Sequence, residues 1–237
     1  MMKILGFQKT TLLDYPEHVA ATVFTGGCNF RCPFCQNADL VYNRLEGYGE
    51  EEILSFLQKR KGILDGVCIT GGEPTLQPDL ETFIRKVRGL GLKVKLDTNG
   101  YRPRLLEGWI KEGLLDYVAM DIKASKENYA LAAGVSPDCF QLSAIEESVE
   151  LLKEGQVPYE FRTTVVRGIH RIEEFEQIGR WLQGCTAYFL QSYSDGGRIL
   201  DGAGLSSFSI EQLRQMAALA GKYIEKVTLR GIEESMS

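Results

Sequence analysis

The stretch Thr25-Gly-Gly-Cys28-Asn-Phe-Arg-Cys32-Pro-Phe-Cys35-Gln-Asn37 places three cysteines at C-x3-C-x2-C spacing on one short loop. The loop follows the β-like run 19–24 and is entered through two glycines. Thiolates are soft ligands that select zinc, copper(I) or iron-sulfur clusters. The stretch therefore predicts a metal-binding loop at the end of a strand, with the rest of the chain as its scaffold.

Two kinds of metal site fit this loop. A structural zinc site usually has four protein ligands, supplied as two paired arms. No second arm follows in the sequence, because Cys68, Cys139 and Cys185 stand alone and His18 and His170 are not paired. The spacing favours an iron-sulfur cubane that leaves one iron open to a non-protein ligand. Structural zinc completed by a distant residue is the alternative.

Composition limits the possible function classes. The chain has 237 residues, 44% hydrophobic and 25% charged, which is typical of a globular protein and compatible with a single α/β domain. Its net charge of -5 and the absence of any Lys/Arg block argue against nucleic-acid binding. No apolar run approaches the ~20 residues that span a bilayer. The N-terminus also lacks the apolar segment of a signal peptide, so we expect a cytoplasmic protein without membrane contact.

Hydrophobic periodicity predicts strands and helices in alternation, which indicates parallel βα units that close into a full or partial barrel. An open doubly wound sheet is the alternative. We expect one domain over residues 1–237, with a hairpin-like extension (1–18) and a C-terminal helix (209–223). The core strands are predicted at 19–25, 66–70, 92–96, 117–120, 159–166 and 187–191. The helices that connect successive strands are predicted at 50–61, 78–88, 104–112, 146–154 and 173–182.

Polar segments follow these strands where a parallel barrel gathers its active-site loops. They are Gly71-Gly-Glu-Pro74, Asp97-Thr-Asn-Gly100 and Asp121-Ile-Lys123, while Arg162 lies within the fifth core strand. Each segment alone could be a turn or a surface ion pair. Residues 121 and 123 share one face of a strand, as a common ligand would require.

The motif formed by Cys28, Cys32, Phe34 and Cys35 resembles the C-x3-C-x-aromatic-C cluster motif of the radical S-adenosylmethionine (SAM) enzymes. The Gly-Gly-Glu segment after the next strand resembles the family's contact with the amino group of SAM. The resemblance implies a partial (β/α)6 TIM-like barrel, a [4Fe-4S] cluster held by the three cysteines, and SAM at the open iron. It extends over nearly the whole chain and is greatest with the activating enzymes of glycyl radical enzymes.

The same resemblance implies a set of SAM contacts. Glu73 would pair with the ammonium group, and Lys123 and Arg162 would approach the carboxylate. Asp97 and Asp121 would reach the ribose, the amino group or a monovalent cation. Where relatives often carry a His after the sixth strand, this chain offers Tyr193 or Gln191. The expected cofactor-binding residues are Phe34, Gln36, Gly71, Gly72, Glu73, Asp97, Thr98, Asp121, Lys123, Arg162 and Tyr193.

The opening run from Gly6 to Pro16 resembles the activating proteins of anaerobic ribonucleoside-triphosphate reductase. That resemblance implies reductive cleavage of SAM to a 5'-deoxyadenosyl radical, which abstracts hydrogen from a glycine of the reductase. No side chain is needed as a general base, and flavodoxin or ferredoxin would supply the electron. Gln36 replaces the His of many relatives, and Asp14-Tyr-Pro16 replaces their Asp-Gly-Pro-Gly segment. A pyruvate formate-lyase type activase, a small-molecule enzyme such as 7-carboxy-7-deazaguanine synthase, and a non-enzymatic zinc protein stay as alternatives.

Overall fold

The computed structural model describes residues 2–194 and 199–232, which contain eight strands and eight α-helices. No helix in these residues is long and apolar enough to cross a membrane. The strands are β1 (Ile4–Thr11), β2 (Ala20–Thr25), β3 (Gly66–Gly71), β4 (Lys93–Thr98), β5 (Tyr117–Asp121), β6 (Tyr159–Val165), β7 (Tyr188–Ser192) and β8 (Val227–Arg230). The helices are α1 (Ala38–Val41), α2 (Glu50–Lys59), α3 (Leu80–Gly89), α4 (Pro103–Lys111), α5 (Tyr129–Ala133), α6 (Leu142–Lys153), α7 (Glu174–Trp181) and α8 (Ile210–Ala220).

The strands form one sheet in the order β1 to β8, the same order as in the chain. The pair β1–β2 is antiparallel, and every other neighbouring pair is parallel. A doubly wound sheet would reverse its strand order at a switch point, and this order never reverses. The α/β prediction of a partial (β/α)6 TIM-like barrel is therefore confirmed, with β2 to β7 as the six predicted core strands.

Strand β8, which extends the parallel part of the sheet beyond β7, is not predicted from the sequence. This strand has only four residues, all half-buried, and therefore carries neither a long apolar run nor a clear alternation. Arg230 attaches it to the sheet. Its guanidinium donates two hydrogen bonds to the buried carboxylate of Glu160, at 2.7 and 2.9 Å, and lies over the Phe189 ring.

The loop between β1 and β2 closes the N-terminal end of the barrel. Asp14 accepts a hydrogen bond from the Thr22 hydroxyl at 2.5 Å, and the buried Tyr15 ring stacks on His18. Tyr15 also lies close to Gly66, where β3 begins. The opposite end of the barrel, where the parallel strands finish, is left for the site.

Alternation along the strands separates an apolar layer from a charged interior. On β4, Val94 and Leu96 are fully buried in the hydrophobic core shared with Phe83 of α3. Lys95 and Asp97 alternate with them and form an ion pair at 2.5 Å. The apolar residues therefore attach the helices, and the charged ones meet inside the barrel.

We expect Arg230→Ala to destabilise the protein, because it leaves the buried Glu160 carboxylate with only the Tyr117 hydroxyl as a donor among the contacts described. Breaking a buried ion pair costs about 3–5 kcal/mol, and the 34% exposure of the Arg230 side chain reduces this to about 2 kcal/mol. Denaturant unfolding at neutral pH measures the loss. The double variant Arg230→Met with Glu160→Gln should recover most of it.

Lys111→Ala is the matched control, because Lys111 and Glu107 form an exposed i,i+4 pair on α4. It should leave the unfolding midpoint unchanged. An Arg230→Ala variant as stable as this control would show that the Glu160 pair does not hold β8 in place.

Candidate active site

A pocket at the carboxyl ends of the strands joins the cysteine loop to the polar strand ends. It contains every predicted site residue except Tyr193. The described residues that line it are Cys28, Phe30, Cys32, Phe34, Cys35, Gln36, Asn37, Val41, Thr70, Gly71, Gly72, Glu73, Asp97, Thr98, Asn99, Asp121, Lys123, Arg162, Thr164 and Gln191.

The three cysteines of the loop are free thiols; Cys32 is buried and the other two are half-buried. Backbone hydrogen bonds from beyond β7 fix the end of the loop, since Leu200 N donates to the Cys35 carbonyl at 3.0 Å and Asp201 N to Pro33 at 2.9 Å. Among the residues described, no three His, Cys, Asp or Glu side chains are arranged to hold a single metal ion. The three sulfur atoms instead line the wall of a wider pocket.

Burial controls the ionisation of these thiols. Desolvation raises the pKa of Cys28 to about 12 and that of Cys32 to about 11, although the nearby Lys123 ammonium acts in the opposite direction on both. Both are therefore protonated at neutral pH in the absence of a metal. A cluster would have to displace these protons, because thiolates are the metal-binding form.

The glycines before Glu73 bring the end of β3 against the cysteine loop. Gly71 has a φ of +124°, and a Cβ on Gly72 would lie 2.0 Å from the Gly27 carbonyl oxygen. The two loops are joined by Gly72 N to Thr25 O at 2.9 Å and Glu73 N to Gly27 O at 2.8 Å. Any side chain at position 72 would separate the loops, so glycine is needed here for contact within the protein.

The Glu73 carboxylate connects β3 to β4. It is fully buried and accepts hydrogen bonds from Thr75 N (3.1 Å), Thr75 Oγ1 (2.6 Å), Thr98 Oγ1 (2.8 Å) and Asn99 N (2.7 Å). Burial raises its pKa, and these four hydrogen bonds oppose the shift. If an ammonium group also contacted the Glu73 carboxylate, its hydrogen bond would add to the four that the protein already donates.

Asn99 extends this connection to the cysteine loop. Its side-chain amide donates to the Asn29 side chain at 2.8 Å, and its Oδ1 accepts from Tyr101 N at 3.0 Å. From the sequence alone, Asn99 is expected only as part of a strand-ending turn. Its place in the Asp97–Gly100 segment was the available signal.

A network of five charged side chains lies at the floor of the pocket, and four of them, all except Lys95, line it. Arg162 donates to Asp121 from Nε at 2.9 Å and to Asp97 from Nη1 at 3.2 Å. Lys123 pairs with Asp121 at 3.0 Å, and Lys95 pairs with Asp97 at 2.5 Å. Within this network three cations therefore share two carboxylates, and a third carboxylate, that of Glu73, lines the same pocket.

Ion pairing keeps both carboxylates charged. Burial alone would raise the pKa of Asp121, but Arg162 and then Lys123 hold it at about 2. The pKa of Asp97 is also lowered, by Arg162 and Lys95 against the effect of burial. Each of the four carboxylate oxygens already accepts from a side-chain cation. The described structure thus gives no support to the monovalent cation expected beside Asp97 and Asp121.

The end of β7 presents Gln191 to the pocket, whereas Tyr193 is buried in the hydrophobic core. Of the two candidates that the sequence offered at this position, the structure thus places Gln191 at the site. Thr164 also lines the pocket and was missed, although it shares a strand face with Arg162 two residues earlier. Gln36 lines the pocket as predicted and donates to the Ser194 carbonyl at 2.5 Å.

The charge network predicts a pH-dependent contribution of Asp121 to stability. Its pKa is lowered by folding, so its contribution is complete above the ordinary carboxyl pKa, about 4, and is lost as the pH falls toward 2. Unfolding measurements on the protein and on Asp121→Asn should show a gap that is constant from pH 7 to about 4.5 and narrows below pH 4. Asp138→Asn, at an exposed carboxylate, is the control and should show no such gap. A gap that stays constant down to pH 2 would contradict the ion-pair assignment.

We expect Glu73→Gln to destabilise the protein at this site. The glutamine NH₂ group would replace one carboxylate oxygen, and it would then face the N–H and O–H donors that this oxygen now accepts from. Hydrogen bonds to charged groups contribute about 1.5–3 kcal/mol each, so a loss of about 2 kcal/mol or more is expected. Denaturant unfolding measures it, and Glu127→Gln, at an exposed carboxylate of the same type, is the control. A Glu73→Gln variant with unchanged stability would show that the carboxylate is not the connector described.

The profile described as Radical SAM superfamily matches residues 22–182. A Methanocaldococcus jannaschii protein named "Putative glycyl-radical enzyme activating enzyme MJ1227" is 32% identical over 232 residues, covering 97% of this chain and 96% of its own. A Thermococcus kodakarensis protein named "Probable GTP 3',8-cyclase" is 29% identical over 65% of this chain and 50% of its own.

Solved structures support the fold. A radical SAM methyltransferase from Sphaerobacter thermophilus superimposes with a TM-score of 0.69 at 15% identity, over 91% of this chain and 67% of its own. At this identity the likeness concerns the fold alone. The profile match, the M. jannaschii relative and the cysteine loop at the end of β2 together show that this chain belongs to the radical SAM superfamily.

Proposed function

We propose that this enzyme is an activase that generates a glycyl radical on a partner protein, with anaerobic ribonucleoside-triphosphate reductase as the favoured partner. The observation that carries the proposal is the end-to-end match to the M. jannaschii protein named as a glycyl-radical enzyme activating enzyme. The resemblance of the segment Gly6 to Pro16 to activating proteins of the anaerobic reductase supports the choice of partner.

The cofactors of the family are a [4Fe-4S] cluster and SAM, and the pocket residues fit both. Cys28, Cys32 and Cys35 would hold three irons. Among the described lining residues there is neither a fourth cysteine nor a histidine, which leaves the fourth iron for SAM. When bound and reduced, the cluster supplies the electron that cleaves the sulfonium of SAM.

The strand ends would bind and orient SAM. The Lys123 ammonium and the Arg162 guanidinium both line the pocket and suit the SAM carboxylate, because a buried anion needs a paired cation. The ammonium group would lie against the Gly71–Glu73 loop, whose residues line the pocket, while the Glu73 carboxylate fixes the loop. The remaining contacts that we propose are those of Phe34, Gln36, Thr98, Asp97 and Asp121, with Gln191 preferred to Tyr193.

The electron is proposed to come from flavodoxin or ferredoxin. The cysteines outside the loop are dispersed, since Cys68 and Cys185 are buried and Cys139 is exposed on another segment. They offer no second cluster of ligands in the described part of the chain. We place the enzyme in the cytoplasm, where these donors and the proposed protein substrate would meet it.

A small-molecule radical SAM reaction is the second candidate. The match to the protein named as a GTP 3',8-cyclase favours it, but that match covers about two thirds of this chain and half of the cyclase. Such coverage is expected of the core that radical SAM enzymes share. A pyruvate formate-lyase type activase or a 7-carboxy-7-deazaguanine synthase would use the same core with another substrate.

Electron paramagnetic resonance (EPR) tests the proposal. The anaerobically reconstituted and reduced protein, mixed with SAM and the reductase, should give a glycyl radical doublet. The doublet should disappear in the Cys32→Ala variant and when the reductase glycine is replaced by alanine. Cys185→Ala, at a buried cysteine outside the pocket, should retain it.

Small-molecule chemistry would give a different result. Deoxyadenosine formation that is stimulated by GTP or a pterin, with no doublet from any glycyl radical protein, would overturn the activase proposal. Stimulation by pyruvate formate-lyase instead of the reductase would change the partner and keep the activase.

A further inference from the structure

The segment that carries Asp121 and Lys123 runs beyond the end of β5. Three consecutive backbone carbonyls in it each accept a hydrogen bond from a buried side chain of another segment. The bonds are Tyr129 Oη to Asp121 O at 3.2 Å, Thr163 Oγ1 to Ile122 O at 2.7 Å and His170 Nε2 to Lys123 O at 2.8 Å. We call Tyr129, Thr163 and His170 the carbonyl clamp.

The partners of His170 determine which nitrogen carries its proton. Nδ1 lies 3.0 Å from Val166 N, which donates to it, and 3.3 Å from the Val166 carbonyl. Nε2 lies 2.8 Å from the Lys123 carbonyl, which can only accept, so in the neutral ring Nε2 carries the hydrogen and Nδ1 accepts. That hydrogen is directed to the Lys123 carbonyl. The ring is almost fully buried, and burial lowers its pKa, in keeping with a neutral imidazole. His170 therefore joins the ends of β5 and β6.

The Thr163 hydroxyl is directed in the same way. Tyr188 Oη lies 2.7 Å from Thr163 Oγ1 and can donate to it, which leaves the threonine hydrogen for the Ile122 carbonyl. Both side chains are buried, and Tyr129 is fully buried on α5. Packing therefore holds all three donors of the clamp, and a second hydrogen bond orients Thr163 and His170.

None of the three clamp residues is among those that line the pocket. They act on the backbone that carries Asp121 and Lys123, and His170 additionally lies 6.3 Å from Phe34 between ring centroids. Without the clamp, three buried carbonyls would lack these hydrogen-bond donors, which favours a rearrangement of the backbone. A small rotation of the backbone at residue 122 would displace the Lys123 ammonium from its position beside Asp121. Binding groups need support of this kind to hold their geometry.

We propose that Tyr129, Thr163 and His170 are positioning residues that hold the backbone of residues 121–123, so that Lys123, paired with Asp121, meets the SAM carboxylate in a fixed geometry. This inference rests on the proposed binding of SAM at this pocket. It assigns His170 a role in SAM affinity, although His170 would not contact SAM itself.

The test compares His170→Phe with His170→Gln in the reconstituted, reduced protein. Phenylalanine keeps a ring beside Phe34 but loses both hydrogen bonds, whereas a carboxamide can accept from Val166 N and donate to the Lys123 carbonyl. Titration with SAM, followed by the change in the EPR spectrum of the cluster, gives the dissociation constant. We expect it to rise about tenfold in His170→Phe and to return within threefold of the unmodified protein in His170→Gln.

Ile84→Val in α3 is the stability control, because it trims the core far from the clamp. It should lower the melting temperature with no change in SAM affinity. Tyr129→Phe is a second, milder variant that removes one clamp hydroxyl and should weaken SAM binding about threefold. Tyr129→Phe decides the matter if His170→Phe does not fold.

Unchanged SAM affinity in both His170→Phe and Tyr129→Phe would overturn the clamp, as would a His170→Gln variant as weak as His170→Phe. Failure of the activase proposal gives a different pattern. In that case the variants would still differ in SAM affinity, but no glycyl radical would form on the reductase.

Discussion

The site depends on the position of Arg162 between Asp97 and Asp121, inside the barrel. Most barrels of this kind fill their interior with branched apolar side chains. Here a guanidinium joins carboxylates from the two strands preceding its own, and Lys95 and Lys123 complete the pairing. Buried charges are costly without a partner, so removing either carboxylate would leave one of these cations without its ion pair. The positions of the Lys123 and Arg162 cations in the pocket are then fixed by this network.

A second set of contacts fixes the cysteine loop relative to this ion-pair network. Glu73 accepts donors from its own loop and from the end of β4, while the glycines before it allow direct backbone contact with Gly27. The cluster ligands and the SAM-binding residues are therefore parts of one connected structure. Such a connection suits a cofactor that must contact both the open iron and the strand ends.

Local motifs and the rule that parallel strands end at one edge were enough to predict the cysteine loop and most of the described residues that line the pocket. Contacts between distant segments were not predictable. Lys95 looks like a surface charge in an alternating strand, and the Glu160 pair with Arg230 joins residues 70 positions apart. Tyr193 lies in the hydrophobic core and not among the residues that line the pocket, because β7 ends at Ser192 and the alternation that would align it with Gln191 no longer applies.

The most direct test of this account is electron-nuclear double resonance on the reduced protein, with SAM labelled by ¹⁷O in its carboxylate and ¹⁵N in its amino group. The account predicts hyperfine coupling of both labels to the cluster, because the charged strand ends would hold the carboxylate beside the iron that the three cysteines leave open. Absence of coupling from both labels, in a protein shown to contain a [4Fe-4S] cluster and to bind SAM, would contradict it.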